Sequence, residues 1–518
     1  MRGAHLPPQV LEPATAPRVA QPCAHPASGK SSRSGWFPQG GLGLSARRWK
    51  LLAYALFTAL LLAGQTAFFL AGRLDGGKRM SAQETYFTDQ LATAFRRGQT
   101  HLPVSPAREL LLVPDPFDPR LRTFWYWDAA LYQGRYYSYW GPAPALFLAA
   151  FQALSGIQSI PDRVPVLAFS LLLTLAASAL LALLLRRLPS SPLFPAALGA
   201  GVVAFGSPVP FMLGHPHVYE LAIVAAQAFL LGGMVFAVLA RDVGGRWRIA
   251  CDLACATCWT LAVASRQTVL FAAAALWLLT SYSWRTRTGR LPMARAVVFA
   301  TPALLGMLLL AAYNQVRFGS PIETGHRYQL GYPVTIGPEH VPANLYSYLL
   351  RPPRRLERFP YVIARWQGRP PFPAWMPVSK SYFYREPVAG LLYTSPFYAF
   401  ATVALAFWIR EWGVRAALIL GSLPFAVPIF YFASTMRYLG DVTPGLAVLS
   451  VLGLCRTLDW MRDSPPARWG LLGAATLAAA YTAGMGLLLG SISYFGFLPH
   501  ANPELLLRLE RLFPGFGQ

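Results

Sequence analysis

Charge of either sign is scarce in this sequence. Only 13% of its 518 residues are Asp, Glu, Lys or Arg, and 54% are hydrophobic. An ordinary soluble protein carries about twice that charge, so that class is excluded. Acids are the scarcest, 22 Asp and Glu against 45 Lys and Arg. In a soluble chain the basic excess would suggest nucleic acid. Here it fits the short cytoplasmic turns of a membrane protein, and no nucleic-acid partner is expected. Cysteine, at five in all, is too rare for a disulfide framework. Cys251, Cys255 and Cys258 share one apolar run and read as reduced packing residues. The sequence also lacks a GxxxxGK loop, an HExxH helix and a nucleophile elbow.

Long apolar runs are what the chain has in abundance. Residues 1–46, rich in Pro, Ser, Gly and Ala, read as a disordered cytoplasmic tail. Behind Arg47, Arg48 and Lys50 the run 51–71 is long enough to cross a bilayer, and too long and too far from the start for a cleaved signal. Further spans are expected near 164–185, 193–213, 219–239, 293–313, 388–409, 416–433, 442–457 and 469–490. The run 249–282 reads as two short helices that meet at Ser265-Arg266. The fold class is therefore all-α, a polytopic membrane domain over 47–490 with about eleven crossings. With the N-terminus inside, Arg186, Arg241, Arg246, Arg248, Arg285, Arg410, Arg456 and Arg462 all fall on the inner side. Segments 72–163 and 314–387 and the tail 491–518 then lie outside, and the bilayer itself is the first partner.

The first outer segment holds more than a third of the acids, which makes it the place for carboxylate chemistry. Its stretch Ser81–Arg97 has Phe87, Leu91, Ala94 and Phe95 at helical spacing, and 142–154 reads as a second juxtamembrane helix. Glu84 shares a face with Phe87 and Leu91 and is the first candidate base; the alternative is a capping box, Ser81-Ala-Gln-Glu84. Asp89, a third catalytic candidate, falls on the opposite face, where a solvated charge is expected. Asp128, the second candidate, sits in the aromatic run 124–140, and Tyr137 and Tyr139 there are candidate sugar contacts. Arg266 interrupts an apolar hairpin and needs a partner, a lipid phosphate or a carbonyl cap. Arg437, Tyr438 and Asp441 open a late span, Arg437 and Asp441 being spaced to pair with each other. Glu220 with His215 and His217 lies in a short outer turn, read as hydrogen-bonded rather than metal-binding.

Four short stretches carry a resemblance. They are Gly134-Arg-Tyr-Tyr-Ser-Tyr-Trp-Gly-Pro-Ala-Pro144, Ala264-Ser-Arg-Gln267, Tyr313-Asn-Gln-Val-Arg-Phe-Gly-Ser-Pro321 and Arg437-Tyr-Leu-Gly-Asp441 with Pro444. In order and placement, over about 48–515, the chain resembles the GT-C superfamily of membrane glycosyltransferases, which includes protein O-mannosyltransferases and lipid A aminoarabinose transferases. The resemblance implies a polyprenyl-phosphate sugar donor, an extracytoplasmic acceptor and an acidic base in the first outer loop. The charge topology puts the expected site on the outer face, the Ala, Arg, Leu and Pro bias points to a bacterial cytoplasmic membrane, and Arg266 and Arg437 are expected on the donor phosphate. The family's Asp-Glu pair falls on Gln83-Glu84, and Trp140-Gly141 replaces its Lys before the paired prolines. No cofactor is fixed, and a divalent cation stays open. A transporter or flippase for a lipid-linked substrate, or a non-catalytic envelope scaffold, is the alternative.

Overall fold

Apolar stretches of twenty or more residues satisfy their backbone only as helices in a bilayer, and the chain is built accordingly. A computed structural model describes residues 44–72, 86–186, 193–206, 208–289, 291–332, 334–364, 372–384, 386–494 and 496–515. Residues 49–518 form one compact unit; residues 1–48, the other, are described only from Leu44. Most of the expected tail 1–46, and Glu84, therefore lie outside the described residues.

Among the described residues eight helices are long and apolar enough to cross a membrane: Arg48–Ala71, Arg163–Leu185, Leu193–Leu213, Val218–Leu239, Gly245–Ser265, Met293–Phe318, Trp412–Phe430 and Pro465–Ile492. The other three expected crossings are present as helices but fall short of that measure. Leu270–Thr288 ends in the polar Ser-Trp-Arg-Thr-Arg-Thr, Pro396–Trp408 is short, and Thr443–Trp460 carries Arg456 and Asp459 in its last turns. The two juxtamembrane helices are Phe87–Arg96 and Ala143–Ser155, packed on each other. Among the described residues strand is confined to two small hairpins, Ala130–Tyr132 with Arg135–Tyr137 and Arg354–Arg355 with Val362–Ile363.

The core runs through the middle of the bundle, where Val218–Leu239 is flanked by Arg163–Leu185 and Gly245–Ser265. Several polar side chains inside it find partners, as a low-dielectric interior favours. Gln65 donates to the Ala204 carbonyl at 3.0 Å and accepts from Thr174 at 3.0 Å. Gln227 donates to the Asp441 carbonyl at 2.8 Å, which ties the outer turn 436–441 to the central helix. Arg295 grips the buried Asp252 through two bonds of 2.6 and 2.8 Å. Cys251, Cys255 and Cys258 are unbridged and lie along Gly245–Ser265, as a packing role requires.

One expectation about the first juxtamembrane helix changes, while the capping box Ser81–Glu84 lies outside the described residues. The N–H groups of Phe87 and Thr88 donate to Asp162 at 3.1 and 3.0 Å. Asp89 is buried, not solvated. It accepts from Gln152 at 2.7 Å and from the Ile160 N–H at 2.8 Å, because the helix is covered on a second side by the turn that leads into Arg163–Leu185. Asp89 thus locks the outer segment to itself.

Candidate active site

Where Gly245–Ser265 ends, the chain extends at Arg266 (φ −149°, ψ 110°) before a 3-10 turn, Gln267–Val269, starts the next helix. The sequence break at Ser265-Arg266 is therefore a true hairpin corner, and it turns the Arg266 guanidinium inward. Arg266 is 8% exposed and its Nη2 donates to Asp441 Oδ2 at 2.7 Å. Arg437 stands beside it, 4.0 Å from Glu220 Oε1 and 3.6 Å from Glu386 Oε2, with the rings of Tyr219, Tyr438 and Tyr494 around its guanidinium. The expected Arg437–Asp441 pair does not form. Residues 436–441 make a 3-10 helix with about three residues per turn, so positions four apart do not share a side.

Both guanidinium groups border a cavity of about 300 Å³. Asp128 borders the same cavity, held in the left-handed region at φ +62°. Asparagine and aspartate tolerate that conformation best among non-glycine residues, and such strain persists only where the surroundings impose it. They do so here through the second outer segment. The Asp128 N–H donates to the Leu330 carbonyl at 2.9 Å, Leu330 N–H returns to Ala129 at 2.9 Å, and Ala130 bridges Gln329. Gln329 thereby reaches Asp128 Oδ1 at 3.0 Å and Tyr139 at 3.1 Å, and the Tyr219 hydroxyl donates to Asp128 Oδ2. Burial pushes the Asp128 carboxyl above its ordinary range; the Gln329 bond and Arg437 oppose the shift and Glu386 adds to it. Burial likewise holds the Tyr139 phenol protonated.

Several donors around the cavity have no protein partner: Arg266 Nε, Arg437 Nε, Trp140 Nε1 and Thr268 Oγ1. Buried donors left open are rare in native proteins, and a group of them around one cavity is what an anionic ligand could satisfy. Aromatic rings finish the walls, Trp140 against Tyr139 and Tyr219 on one side and Tyr332 against Trp127 and Phe383 on the other.

Of the residues singled out in the sequence, Asp128, Tyr139, Arg266, Arg437 and Tyr438 line this one cavity. Glu220 and Asp441 lie wholly buried behind the two arginines and set their positions. Tyr137 and Asp89 are placed elsewhere. Tyr137 ends its strand and packs on Phe318, and Asp89 serves the clamp described above. His215 and His217 stack face to face at 3.8 Å; burial, with His215 adding, lowers the His217 ring to about 4, so it stays neutral. The turn is hydrogen-bonded, the His217 N–H donating to Glu220 at 3.2 Å. Among the described residues no three His, Cys, Asp or Glu side chains stand close enough to hold a metal ion. Sequence reasoning missed Gln329, Thr268 and Glu386, single residues whose neighbours give no period or motif.

Gly141 seats the corner. A Cβ there would stand 2.1 Å from the Ala264 carbonyl oxygen and 2.7 Å from the Ser265 carbonyl carbon, both backbone atoms. Gly141→Ala should therefore displace Arg266. We expect a loss of about 1–3 kcal/mol of stability, seen as a lower thermal midpoint in detergent, together with loss of anion binding. An unchanged midpoint would show that the corner yields freely.

No protein-family profile matches the chain, and no curated protein matches it in sequence. Solved structures are similar to it. The Archaeoglobus fulgidus oligosaccharyltransferase in the apo form superposes with a TM-score of 0.50 at 13% identity, over 86% of this chain and 57% of its own. This chain therefore matches little more than half of that protein's length. AglB from Archaeoglobus fulgidus, solved with an inhibitory peptide and a dolichol-phosphate, gives 0.47 at 11% identity over 86% of this chain and 57% of its own. ArnT from Cupriavidus metallidurans in the apo state gives 0.44 at 13% identity, over 86% and 77%. At such identities the likeness is one of architecture, with function left to the site. Over the matched part the chain shares the fold of that apo oligosaccharyltransferase structure.

Proposed function

We propose that this protein is a membrane glycosyltransferase that moves a sugar from a polyprenyl-phosphate carrier to an acceptor outside the cytoplasm, with inversion. One observation carries the reading: two arginines with unfilled donors, Arg266 buried and Arg437 half-buried, border the same cavity as the half-buried, strained Asp128 carboxylate. Arg266 and Arg437 hold the carrier phosphate, and Trp140 Nε1 and Thr268 Oγ1 supply further donors. Asp128 takes the proton from an acceptor hydroxyl, whose oxygen attacks the anomeric carbon as the C–O bond to phosphate breaks. The charge that builds on the phosphate is stabilised in place by the two guanidinium groups. Asp128 is preferred as base over Glu84 and Asp89 because its carboxylate borders the cavity. The aromatic walls, Tyr332 among them, suit the faces of a sugar ring.

The lipid has a path. An apolar groove of about 470 Å³ runs between Gly245–Ser265 and Met293–Phe318, lined by Leu261, Ala264, Leu305 and Leu309 and reaching Pro142 next to Gly141. Leu305 and Leu309 are exposed along it, on the side that would meet lipid. Orientation follows from charge. The helices that begin or end at the site have Arg241, Arg246, Arg248, Arg285 and Arg410 at their other ends, a distribution that supports a site on the outer face with those ends in the cytoplasm.

Purified protein in nanodiscs, given radiolabelled polyprenyl-phosphate sugars, should bind them saturably and release sugar slowly to water or an acceptor. No binding to any such donor would overturn the proposal in favour of a transporter or a scaffold. The pH profile is a second test. Asp128 must be ionised to act as base, and its carboxyl is raised, so transfer should climb with pH through a midpoint above the usual carboxylate value of about 4. A flat rate across that limb would exclude Asp128 as the base.

A further inference from the structure

The charges around the cavity do not balance in the way a phosphate site would suggest. Arg266 is matched by Asp441 at 2.7 Å. Arg437 stands between two carboxylates, Glu220 at 4.0 Å and Glu386 at 3.6 Å. Among the described residues these two cations therefore meet three anions before Asp128 is counted. Of the two carboxylates on Arg437, Glu220 is wholly buried and does not line the cavity, whereas Glu386 does. Glu386 is also the more exposed member of its pair, 27% against 13% for the Arg437 side chain, so it lies on the open side of the guanidinium. Its place is fixed by a bond from Thr435 Oγ1 at 3.2 Å and by the Met436 N–H to the Pro387 carbonyl at 2.9 Å.

From this we infer that Glu386 is a specificity-determining residue that admits a donor linked through one phosphate and rejects one linked through a diphosphate. A single phosphodiester carries one negative charge, which the inner faces of Arg266 and Arg437 can share. A diphosphate carries a second charge one bond further on. The open side of Arg437, where that charge would seek a cation, is occupied by a fixed carboxylate. Unfavourable placement of a like charge is a means of discrimination distinct from better contacts to the right ligand. The inference rests on the proposed function and names the donor class of that same site.

The test compares binding of two polyprenyl-linked sugars, one joined through a single phosphate and one through a diphosphate, to the full chain in nanodiscs. Wild type should prefer the monophosphate by about tenfold or more. Glu386→Gln keeps the side-chain shape and removes the charge. It should bind the diphosphate lipid better than wild type does, bringing the two affinities to within about threefold. A residue that merely held Arg437 in place would lower both affinities together. Wild type offers a check that needs no variant: raising the ionic strength to about 0.5 M should shrink its preference, because screening weakens repulsion at the cavity mouth. Equal affinity for both lipids in wild type, or a parallel loss in Glu386→Gln, would overturn the inference while leaving the glycosyltransferase reading intact. Binding of neither lipid would overturn the glycosyltransferase reading and this inference with it.

Discussion

Asp128→Asn should abolish sugar transfer and leave donor binding in place. The expected drop is about 10²–10⁴-fold in rate, the range that a positioned general base contributes. Asparagine is the informative replacement for two reasons drawn from the site. It tolerates the left-handed backbone that Asp128 adopts at φ +62°, so the local strain is unchanged. Its amide oxygen can still accept from Gln329, and its NH2, in the place of Oδ2, can donate to the Tyr219 hydroxyl, so both partners stay bonded. What it removes is the capacity to take a proton. Asp128→Ala, by contrast, would lose both bonds as well and mix a structural effect with the chemical one. The measurement is single-turnover transfer from a labelled donor, with donor affinity determined on the same preparation. Transfer at the wild-type rate in Asp128→Asn would remove Asp128 from the mechanism and return attention to Glu84.

The second large effect concerns the pair beneath the donor phosphate. Arg266→Ala should cost about 3–5 kcal/mol of stability, because it strands the Asp441 carboxylate, which is 0% exposed, without its counter-charge. Tyr438 would also lose the cation it faces at 5.3 Å. Replacing both partners by apolar residues of similar size, Arg266→Met with Asp441→Leu, removes the stranded charge together with its cause. A buried ion pair exchanged for packed hydrophobic groups is often neutral for folding. The double variant should therefore recover most of the thermal midpoint that the single variant loses, yet remain unable to bind an anionic donor. This pattern separates the two duties of Arg266. A double variant that bound donor normally would be evidence that Arg437 alone holds the phosphate and that Arg266 is structural.

Much of this protein could be read from its residues in order, and the reason is the solvent it lives in. A bilayer admits apolar helices of a known minimum length and little else, so the eight spanning helices, both juxtamembrane helices and the break at Ser265-Arg266 were legible from run length and spacing. The cost of leaving a cation unpaired in such a setting also pointed to Arg266 before any partner was known. Spacing misled where the local helix type differed from the assumed one. Arg437 and Asp441 are four apart, but a 3-10 turn sends them to Glu386 and Arg266 instead. Asp89 looked solvent-facing because a helical wheel assumes one covered side, and its helix is covered on two.

The site itself was decided by contacts between segments far apart in the chain. Asp128 and Gln329 are 201 residues apart, and Arg266 and Asp441 are 175 apart. No periodicity encodes such a meeting, since each partner sits in a stretch whose own pattern is satisfied without it. Glu386 is an ordinary acid before a proline until the fold brings it to the open side of Arg437. Sequence alone thus settled that the chain is a helical membrane protein and which cations needed explaining, because hydrophobic length and unpaired charge are local costs. Which carboxylates answer those cations, and which one is left facing an open cavity with its proton affinity raised, was settled only by tertiary structure, because pairing and burial are properties of neighbours in space.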